Sequence, residues 1–344
     1  MRLRRKSLAL VALPAAMLGV MRAASAQDYA WAESEVTARR EDFIERMVAE
    51  HGFERAALDE ILGRAEIRQS VLNAISRPAE RVVPWYEYRE IFLNDDRIDA
   101  GVRFWAEHEA LLESMGARFG VDPEMILAIL GIETLFGQRM GNYPVVDSLS
   151  TLAFAYTPRA DFFASELENF LLIYREEGPE VLAAQGSYAG AMGAGQFIPS
   201  SYRAYAVDGD GDGHRDLWQN WADIIGSVAN YLAKHGWRSG EPVAVGAQLG
   251  RASGVAPGNR LGLDATVGSL RAQGYEFSSA LKDDLAAMLV AVEASDSETG
   301  YFIGLQNFHV ITRYNRSVKY ALAALQLSEA IEQRHRATYA AVVE

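Results

Sequence analysis

The sequence of 344 residues contains no cysteine and only ten prolines. The absence of cysteine excludes disulfide-stabilised scaffolds, thiolate zinc sites, cysteine nucleophiles and iron–sulfur clusters. It also removes the residue that N-terminal lipoprotein acylation requires, so we expect no lipid anchor. Basic residues are few, 33 against 46 acidic ones, and the formal charge of −13 argues against nucleic-acid binding. A composition with 49% hydrophobic and 23% charged residues is typical of a globular protein.

The N-terminus has the three parts of a secretory signal peptide. Basic residues at positions 2 to 6 precede an apolar run from Leu8 to Met21, and Ala24-Ser25-Ala26 forms a small-residue cleavage site. An N-terminal membrane anchor is the alternative, but the run is shorter than the roughly 20 residues that a membrane span needs. Cleavage after residue 26 removes five basic residues and no acidic one, so the charge becomes −18. We expect an exported, periplasmic protein.

The remaining chain is predicted to be mainly α. Apolar residues recur at helical spacing from 34 to 76, from 98 to 115 and from 318 to 332, whereas Gly, Pro and Val dominate between 236 and 304. We therefore predict a signal peptide, an N-terminal helical region, a core with an acidic loop, a small β-containing insertion and a C-terminal segment that returns to the core. Their boundaries are 1–26, 27–120, 121–235 with the loop at 208–219, 236–304 and 305–344.

Glu133 is the strongest candidate for acid–base chemistry. On a helix beginning at Asp122-Pro123, it shares an apolar face with Ile126, Ile129 and Leu130, and no cation lies three or four residues away. A carboxyl group in such surroundings loses hydration in its charged form, so its pKa should rise toward the range of a general acid. The alternative is a structural glutamate that pairs with a distant arginine or faces water.

A glycine-rich segment follows, with four glycines between Gly186 and Gly195. Glycines permit unusual backbone angles and close approach to a ligand, although tight helix packing explains them equally well. The segment lacks the Gly-Lys-Ser/Thr of a nucleotide loop, and Ser187 does not lie in a Gly-x-Ser-x-Gly elbow.

The third feature is an acidic loop that resembles an EF-hand. Asp208, Asp210 and Asp212 occupy its first, third and fifth positions, and Gly213 occupies the sixth. His214 would contribute its backbone carbonyl group to a calcium ion. Position twelve is glutamine, so the usual closing glutamate is missing, and Asp223 is the nearest carboxylate beyond it. An acidic, solvated turn without metal is the alternative.

Together these segments closely resemble the MltB-like lytic murein transglycosylases of glycoside hydrolase family 103. The matches occur in the same order along the chain and extend from about Tyr88 to Leu327. They comprise the segment from Gly131 to Gly137, the run from Gly186 to Tyr202, the acidic loop with the helix after it, and Ile311-Thr-Arg-Tyr-Asn315. The resemblance implies a lysozyme-like α core flanked by a helical domain and a small β domain.

The resemblance also implies a reaction. Peptidoglycan strands would be cut between N-acetylmuramic acid and N-acetylglucosamine, with Glu133 as the single acid and base and a 1,6-anhydromuramoyl end as product. Cleft positions of the family match this chain at Tyr88, Arg159, Ser187, Gln196, Tyr231, Tyr314, Asn315 and Tyr320. The family metal site matches Asp208, Asp210, Asp212, His214 and Asp223, although the segment before Asp223 is one residue longer than the usual pattern.

We therefore predict an exported lytic transglycosylase with a structural calcium ion and no organic cofactor. Its expected partners are peptidoglycan glycan strands and other cell-wall-remodelling proteins, and we expect a monomer that binds no nucleic acid. A hydrolytic muramidase of the lysozyme type would share Glu133 and differ only in the acceptor. A non-catalytic peptidoglycan-binding scaffold is the third hypothesis.

Overall fold

A computed structural model describes residues 30–76, 83–250, 259–278 and 280–343, with side chains to residue 338. The predicted signal peptide lies outside these residues. The helices are α1 Glu33–His51, α2 Arg55–Arg64, α3 Gln69–Ser76, α4 Trp85–Phe92, α5 Asp95–Phe119, α6 Pro123–Thr134, α7 Val145–Phe154, α8 Ala160–Glu177, α9 Pro199–Tyr205, α10 Trp221–Lys234, α11 Val267–Ala272, α12 Gln306–Tyr314 and α13 Val318–Val343. The strands are β1 Tyr143–Pro144, β2 Gln185–Gly186, β3 Ala244–Leu249, β4 Ala265–Thr266, β5 Tyr275–Glu276, β6 Ala286–Glu293 and β7 Thr299–Gly304.

Helix α6 lies at the centre of the main hydrophobic core. Every residue from Met125 to Thr134 is buried, so the helix has no solvent-facing side, whereas the sequence predicted a single apolar stripe. Helix α13 packs closely on α5 and α6 at two glycines. A Cβ atom on Gly101 would lie 2.5 Å from Ile331, and one on Gly131 would lie 3.3 Å from Leu327. These glycines therefore allow the C-terminal helix to approach the central one.

The N-terminal helices belong to the same core. Phe43, Leu58 and Leu72 pack in one apolar cluster with the central helices. The helical pattern from 34 to 76 is divided among α1, α2 and α3, and α1 ends because Gly52 takes a left-handed conformation with φ of 65°. No helix in the described ranges combines the length and apolar character needed to cross a membrane.

The small β region is an antiparallel sheet of five strands in the order β4-β6-β7-β3-β5. Side chains alternate along β6, so its two faces serve different cores. Met288, Val290 and Val292 pack with the main helical core, whereas Ala287 and Leu289 pack in a smaller cluster with α11. The predicted mainly α class with a small β-containing insertion is confirmed.

Candidate active site

Glu133 lies in the last turn of α6, and only 7% of the residue is exposed. Burial raises the pKa of its carboxyl group to about 7, and a hydrogen bond from Tyr320 opposes part of that rise. The Tyr320 hydroxyl donates this bond to Glu133 Oε1 over 2.6 Å. Within the described residues no cation forms an ion pair with Glu133. The group is therefore an acid that holds its proton up to near-neutral pH.

A sharp turn ends the helix directly after Glu133. Leu135 and Phe136 have φ angles of 51° and 56°, and Gly137 continues in the same left-handed region at 80°. Such angles are uncommon for residues with a Cβ atom. The Thr134 hydroxyl holds the turn by accepting from the Gly137 amide over 2.9 Å and by donating to the Ala194 carbonyl over 2.8 Å. Thr134 thus joins the Glu133 helix to the glycine-rich segment.

Three tyrosines from different helices surround Glu133. Tyr88 comes from α4, Tyr314 from α12 and Tyr320 from α13. Burial raises the pKa of each hydroxyl group, and the negative charge of Glu133 raises it further. All three therefore stay protonated and can donate hydrogen bonds. The Tyr314 hydroxyl donates to the Gly195 carbonyl over 2.6 Å, which fixes the glycine-rich segment beside Glu133.

The glycine-rich segment positions two predicted site residues. Gln196 has a φ of 51°, and its amide group donates to the carbonyls of Met140 and Gly193 over 3.1 and 2.9 Å. Both amide N–H bonds are thereby used, which leaves the side-chain carbonyl as an acceptor. The Ser187 hydroxyl oxygen accepts from the backbone amide of Ala191 over 3.1 Å and retains its own proton for donation.

Of the remaining predicted site residues, Tyr231 and Asn315 lie near Tyr314, whereas Arg159 lies elsewhere. Tyr231 packs edge-on against Tyr314 with ring centroids 4.7 Å apart, so it extends the group of tyrosines beside Glu133. Asn315 is buried, and its Oδ1 atom has no hydrogen-bond partner among the described residues. Arg159 lies over the Phe162 ring at 4.2 Å, and no contact within the described part of the chain joins it to the Glu133 cluster.

The acidic loop gathers carboxylates at the surface. One oxygen from each of Asp208, Asp210 and Asp212 lies within 4.8 Å of the others, and such a group of carboxylate oxygens is compatible with a hard cation. The Asp208 carboxylate accepts from the backbone amides of Gly211 and Gly213, and these bonds lower its pKa. The residues of the loop therefore fit calcium.

Neither Asp223 nor the imidazole of His214 belongs to that group of three carboxylates, although the His214 backbone amide donates to Asp212 over 2.8 Å. The two oxygens of Asp223 accept from the backbone amides of Gly209 and Asp216, each over 2.7 Å, and the side chain is fully buried. In this arrangement Asp223 braces the two ends of the loop. The imidazole of His214 is exposed and lies 3.7 Å from Glu177.

Sequence reasoning did not single out three residues that the structure places around these sites. Thr134 is one, although it lies inside the segment from Gly131 to Gly137. Arg97 is buried on α5 and donates to the Gly131 carbonyl over 3.0 Å; its position in the stripe with Gly101 and Phe104 was the available signal. Asn220 caps α10 and donates to Asp210 over 2.9 Å, and no local pattern indicates that second contact.

Comparisons with known proteins agree with this architecture. The model of the transglycosylase SLT domain family matches residues 35–329. Membrane-bound lytic murein transglycosylase B of Escherichia coli strain K12 is 43% identical over 304 residues, which cover 85% of this chain and 82% of that protein. Catenated lytic transglycosylase SltB1 from Pseudomonas aeruginosa superposes with a TM-score of 0.83 at 46% identity, covering 86% of this chain and 98% of that one.

A third similar structure is the lytic transglycosylase Slt35 of Escherichia coli in complex with calcium. It superposes with a TM-score of 0.78 at 41% identity and covers 86% of this chain and 93% of its own. The predicted lysozyme-like fold is therefore confirmed. The chain belongs to the transglycosylase SLT domain family and is a peptidoglycan lytic transglycosylase.

Proposed function

We propose that this enzyme is exported and cuts the β-1,4 bond between N-acetylmuramic acid and N-acetylglucosamine with Glu133 as its single acid and base. The observation that carries this proposal is the buried Glu133 carboxyl group, whose pKa is raised to about 7. A general acid is most effective when its pKa lies near the working pH. The predicted signal peptide at residues 1–26 supports export to the periplasm.

In the first step the neutral Glu133 gives its proton to the glycosidic oxygen as the bond to C1 of the muramoyl residue breaks. Positive charge then develops at C1, and the carboxylate that remains on Glu133 stabilises it. The Tyr320 hydroxyl, 2.6 Å from Oε1, favours this charged form and fixes its orientation. Tyr320 therefore serves the reaction by stabilising the base that the second step needs.

In the second step the Glu133 carboxylate removes the proton from the muramoyl 6-hydroxyl group. The freed oxygen forms a bond to C1 and closes the 1,6-anhydro ring, so Glu133 regains its proton and no water is consumed. Glycosidases with two carboxylates place the second one across the bond. The buried carboxylate of Asp147 is bound by the Arg68 guanidinium and the Glu66 amide. By family resemblance, the N-acetyl group of the substrate assists at C1.

The walls of the site supply the substrate contacts in this proposal. The Gln196 carbonyl and the Ser187 hydroxyl offer an acceptor and a donor to the sugars, and the buried Asn315 Oδ1 has capacity for a further bond. The aromatic residues Tyr88, Tyr231, Tyr314 and Tyr320 line the cleft. Arg159 has the weakest structural support, because its guanidinium stacks on the Phe162 ring.

We also propose a structural calcium ion in the acidic loop. Asp208, Asp210 and Asp212 would bind it with the backbone carbonyl of His214, and Asp223 would support the loop from below. The calcium complex of Slt35 supports the choice of ion. Calcium prefers such oxygen ligands and would offset the mutual repulsion of the three carboxylates.

Product analysis tests the reaction. We expect the exported enzyme to release muropeptides with 1,6-anhydro ends, each lighter by one water than the hydrolysis product in the mass spectrum. Glu133→Gln keeps the shape of the side chain but cannot exchange protons, so we expect its activity to fall by about 10³-fold or more. Hydrated ends would favour the muramidase alternative, and full activity of Glu133→Gln would remove this residue from the mechanism.

A further inference from the structure

Three segments that are far apart in sequence meet at the Lys319 ammonium group. Lys319 Nζ donates to the Val83 carbonyl over 2.8 Å and to Glu293 Oε2 over 2.9 Å. The same Glu293 oxygen accepts from the backbone amide of Trp85 over 3.2 Å. These contacts join the start of α13, the end of β6 and the start of α4 at a single point.

The electrostatics of this contact favour a defined geometry. Only 16% of the Lys319 side chain is exposed, so solvent screens its charge less than that of a surface lysine, whereas 53% of the Glu293 side chain is exposed. The hydrogen bond from Lys319 lowers the pKa of Glu293, which keeps the carboxylate charged. Trp85 is the first residue of α4, where a free amide and the helix dipole both favour a carboxylate.

The two helices joined by these contacts, α4 and α13, each carry a tyrosine that lies near Glu133. Tyr320 follows Lys319 directly and donates to Glu133 Oε1. Tyr88 lies three residues after Trp85, close enough for the Glu133 charge to raise its pKa. A second hydrogen bond, from the Tyr86 hydroxyl to Asp296, attaches α4 to the turn between β6 and β7. The position of Tyr88 therefore depends on contacts with the sheet and with α13.

We propose that Lys319 and Glu293 form a positioning pair that fixes α4, and with it Tyr88, relative to Tyr320 and Glu133. The inference rests on the proposed role of Glu133. Neither residue of the pair touches the substrate, and both act through the placement of Tyr88. Without the pair, α4 shifts on the sheet and the spacing of the tyrosines around the reacting bond changes. Small misplacements of this kind lower catalytic rates strongly.

Lys319→Met and Glu293→Gln test the pair. Arg334→Met is the matched control, because Arg334 lies on the same helix as Lys319 and pairs with Asp99 of α5 over 2.6 Å. We expect kcat/KM on peptidoglycan to fall about tenfold in both test variants and less than about twofold in the control. Thermal unfolding of all three is measured in parallel, and Glu293→Gln alone carries the comparison if Lys319→Met does not fold. Equal kinetic losses in the test and control variants would overturn the proposal.

A double-mutant cycle with Tyr88→Ala separates positioning from general support of the structure. If the pair acts through Tyr88, Lys319→Met in the Tyr88→Ala background changes kcat/KM less than about twofold. A persistent tenfold loss in that background would overturn the positioning role. Glu133→Gln is assayed beside the cycle: its inactivity upholds the proposed function whatever the cycle gives, whereas its activity would overturn the proposed function independently of the pair.

Discussion

Glu133 and the acidic loop place the same functional group in opposite surroundings. Glu133 is a single buried carboxyl group that accepts one hydrogen bond from the described part of the chain, from the Tyr320 hydroxyl. Asp208, Asp210 and Asp212 lie together at the surface, and the Asp208 carboxylate accepts from three backbone amides, those of Gly211, Asp212 and Gly213. Burial raises the pKa of Glu133, whereas backbone amides lower that of Asp208. The first group is thereby suited to hold a proton and the second to hold a cation.

The difference arises from the backbone around each group. Glu133 projects from the C-terminal turn of a buried helix, where nearby amides are already bound within the helix. The acidic loop contains Gly211 and Gly213 with φ angles of 85° and 93°, so its amides turn inward toward Asp208. The direction of the pKa shift therefore depends on whether the neighbouring backbone amides are bound within a helix or free to donate to the carboxyl group from a loop.

The pH dependence of stability tests the environment of Glu133, and it is the prediction with the largest expected change in unfolding free energy. The pKa of Glu133 rises from 4.5 to about 7 on folding, so the folded chain binds this proton more tightly than the unfolded chain. The resulting stability is fully present below pH 4.5 and is lost as pH rises through 7. The Glu133→Gln variant does not lose this stability as pH rises, because glutamine does not titrate. Its unfolding free energy relative to the unmodified enzyme should rise by about 3 kcal/mol between pH 4 and pH 8.

Denaturant unfolding at several pH values measures this difference. Glu60→Gln is the control, because Glu60 is exposed and pairs with Arg64 on the same helix, so its relative stability should change by less than about 0.5 kcal/mol. A flat difference for Glu133→Gln would mean that the buried carboxyl group is not destabilised by its charge, and the contrast with the acidic loop would disappear.

Calcium binding tests the environment of the exposed carboxylates in the acidic loop. At a free calcium concentration of 100 times Kd, binding to the folded chain alone adds about 2.7 kcal/mol to the unfolding free energy. We expect this increment to be largely lost in Asp212→Asn and retained in Asp264→Asn, an exposed acid that pairs with Arg260 elsewhere. Unfolding in calcium and in EDTA gives the increment for each variant. Identical transitions of the unmodified enzyme in both would count against the metal site.

Local sequence indicated both carboxyl environments, although it left a water-facing glutamate and a metal-free turn open as alternatives. The apolar run before Glu133, without a cation three or four residues away, indicates burial, and the spacing of Asp208, Asp210 and Asp212 before Gly213 indicates a loop. Both features arise from residues that are neighbours along the chain, where helix and turn geometry fix their relations.

Contacts between distant segments could not be predicted in this way. Tyr320 lies 187 residues from the carboxyl group that it binds, and only packing of α13 on α6 brings them together. Asp122 shows how tertiary structure replaces a local preference. Its sequence context predicts an N-cap, but its side chain accepts from the Trp237 indole over 3.0 Å and from the amide of Gly240 instead of capping α6.

Thr134 connects the Glu133 helix to the acidic loop, and its replacement tests whether these two regions are independent in stability. Its hydroxyl donates to the Ala194 carbonyl, and the Ala194 amide donates over 2.8 Å to the carbonyl of Leu217, just after the cluster of three aspartates. Thr134→Val preserves the shape but leaves the Ala194 carbonyl and the Gly137 amide without this partner. We expect it to lower the unfolding free energy by about 1–2 kcal/mol, whereas Thr134→Ser retains most of the stability.

The smallest expected effect is the coupling between the regions. Residues in one hydrogen-bond network deviate from additivity by about 0.5 kcal/mol or more, so the calcium-dependent increment in Thr134→Val should be smaller by about that amount. Unfolding of both forms with and without calcium gives this difference directly. An unchanged increment would mean that the loop binds its ion without reference to the Glu133 helix. In that case calcium would stabilise the fold around the acidic loop without contributing to the placement of Glu133.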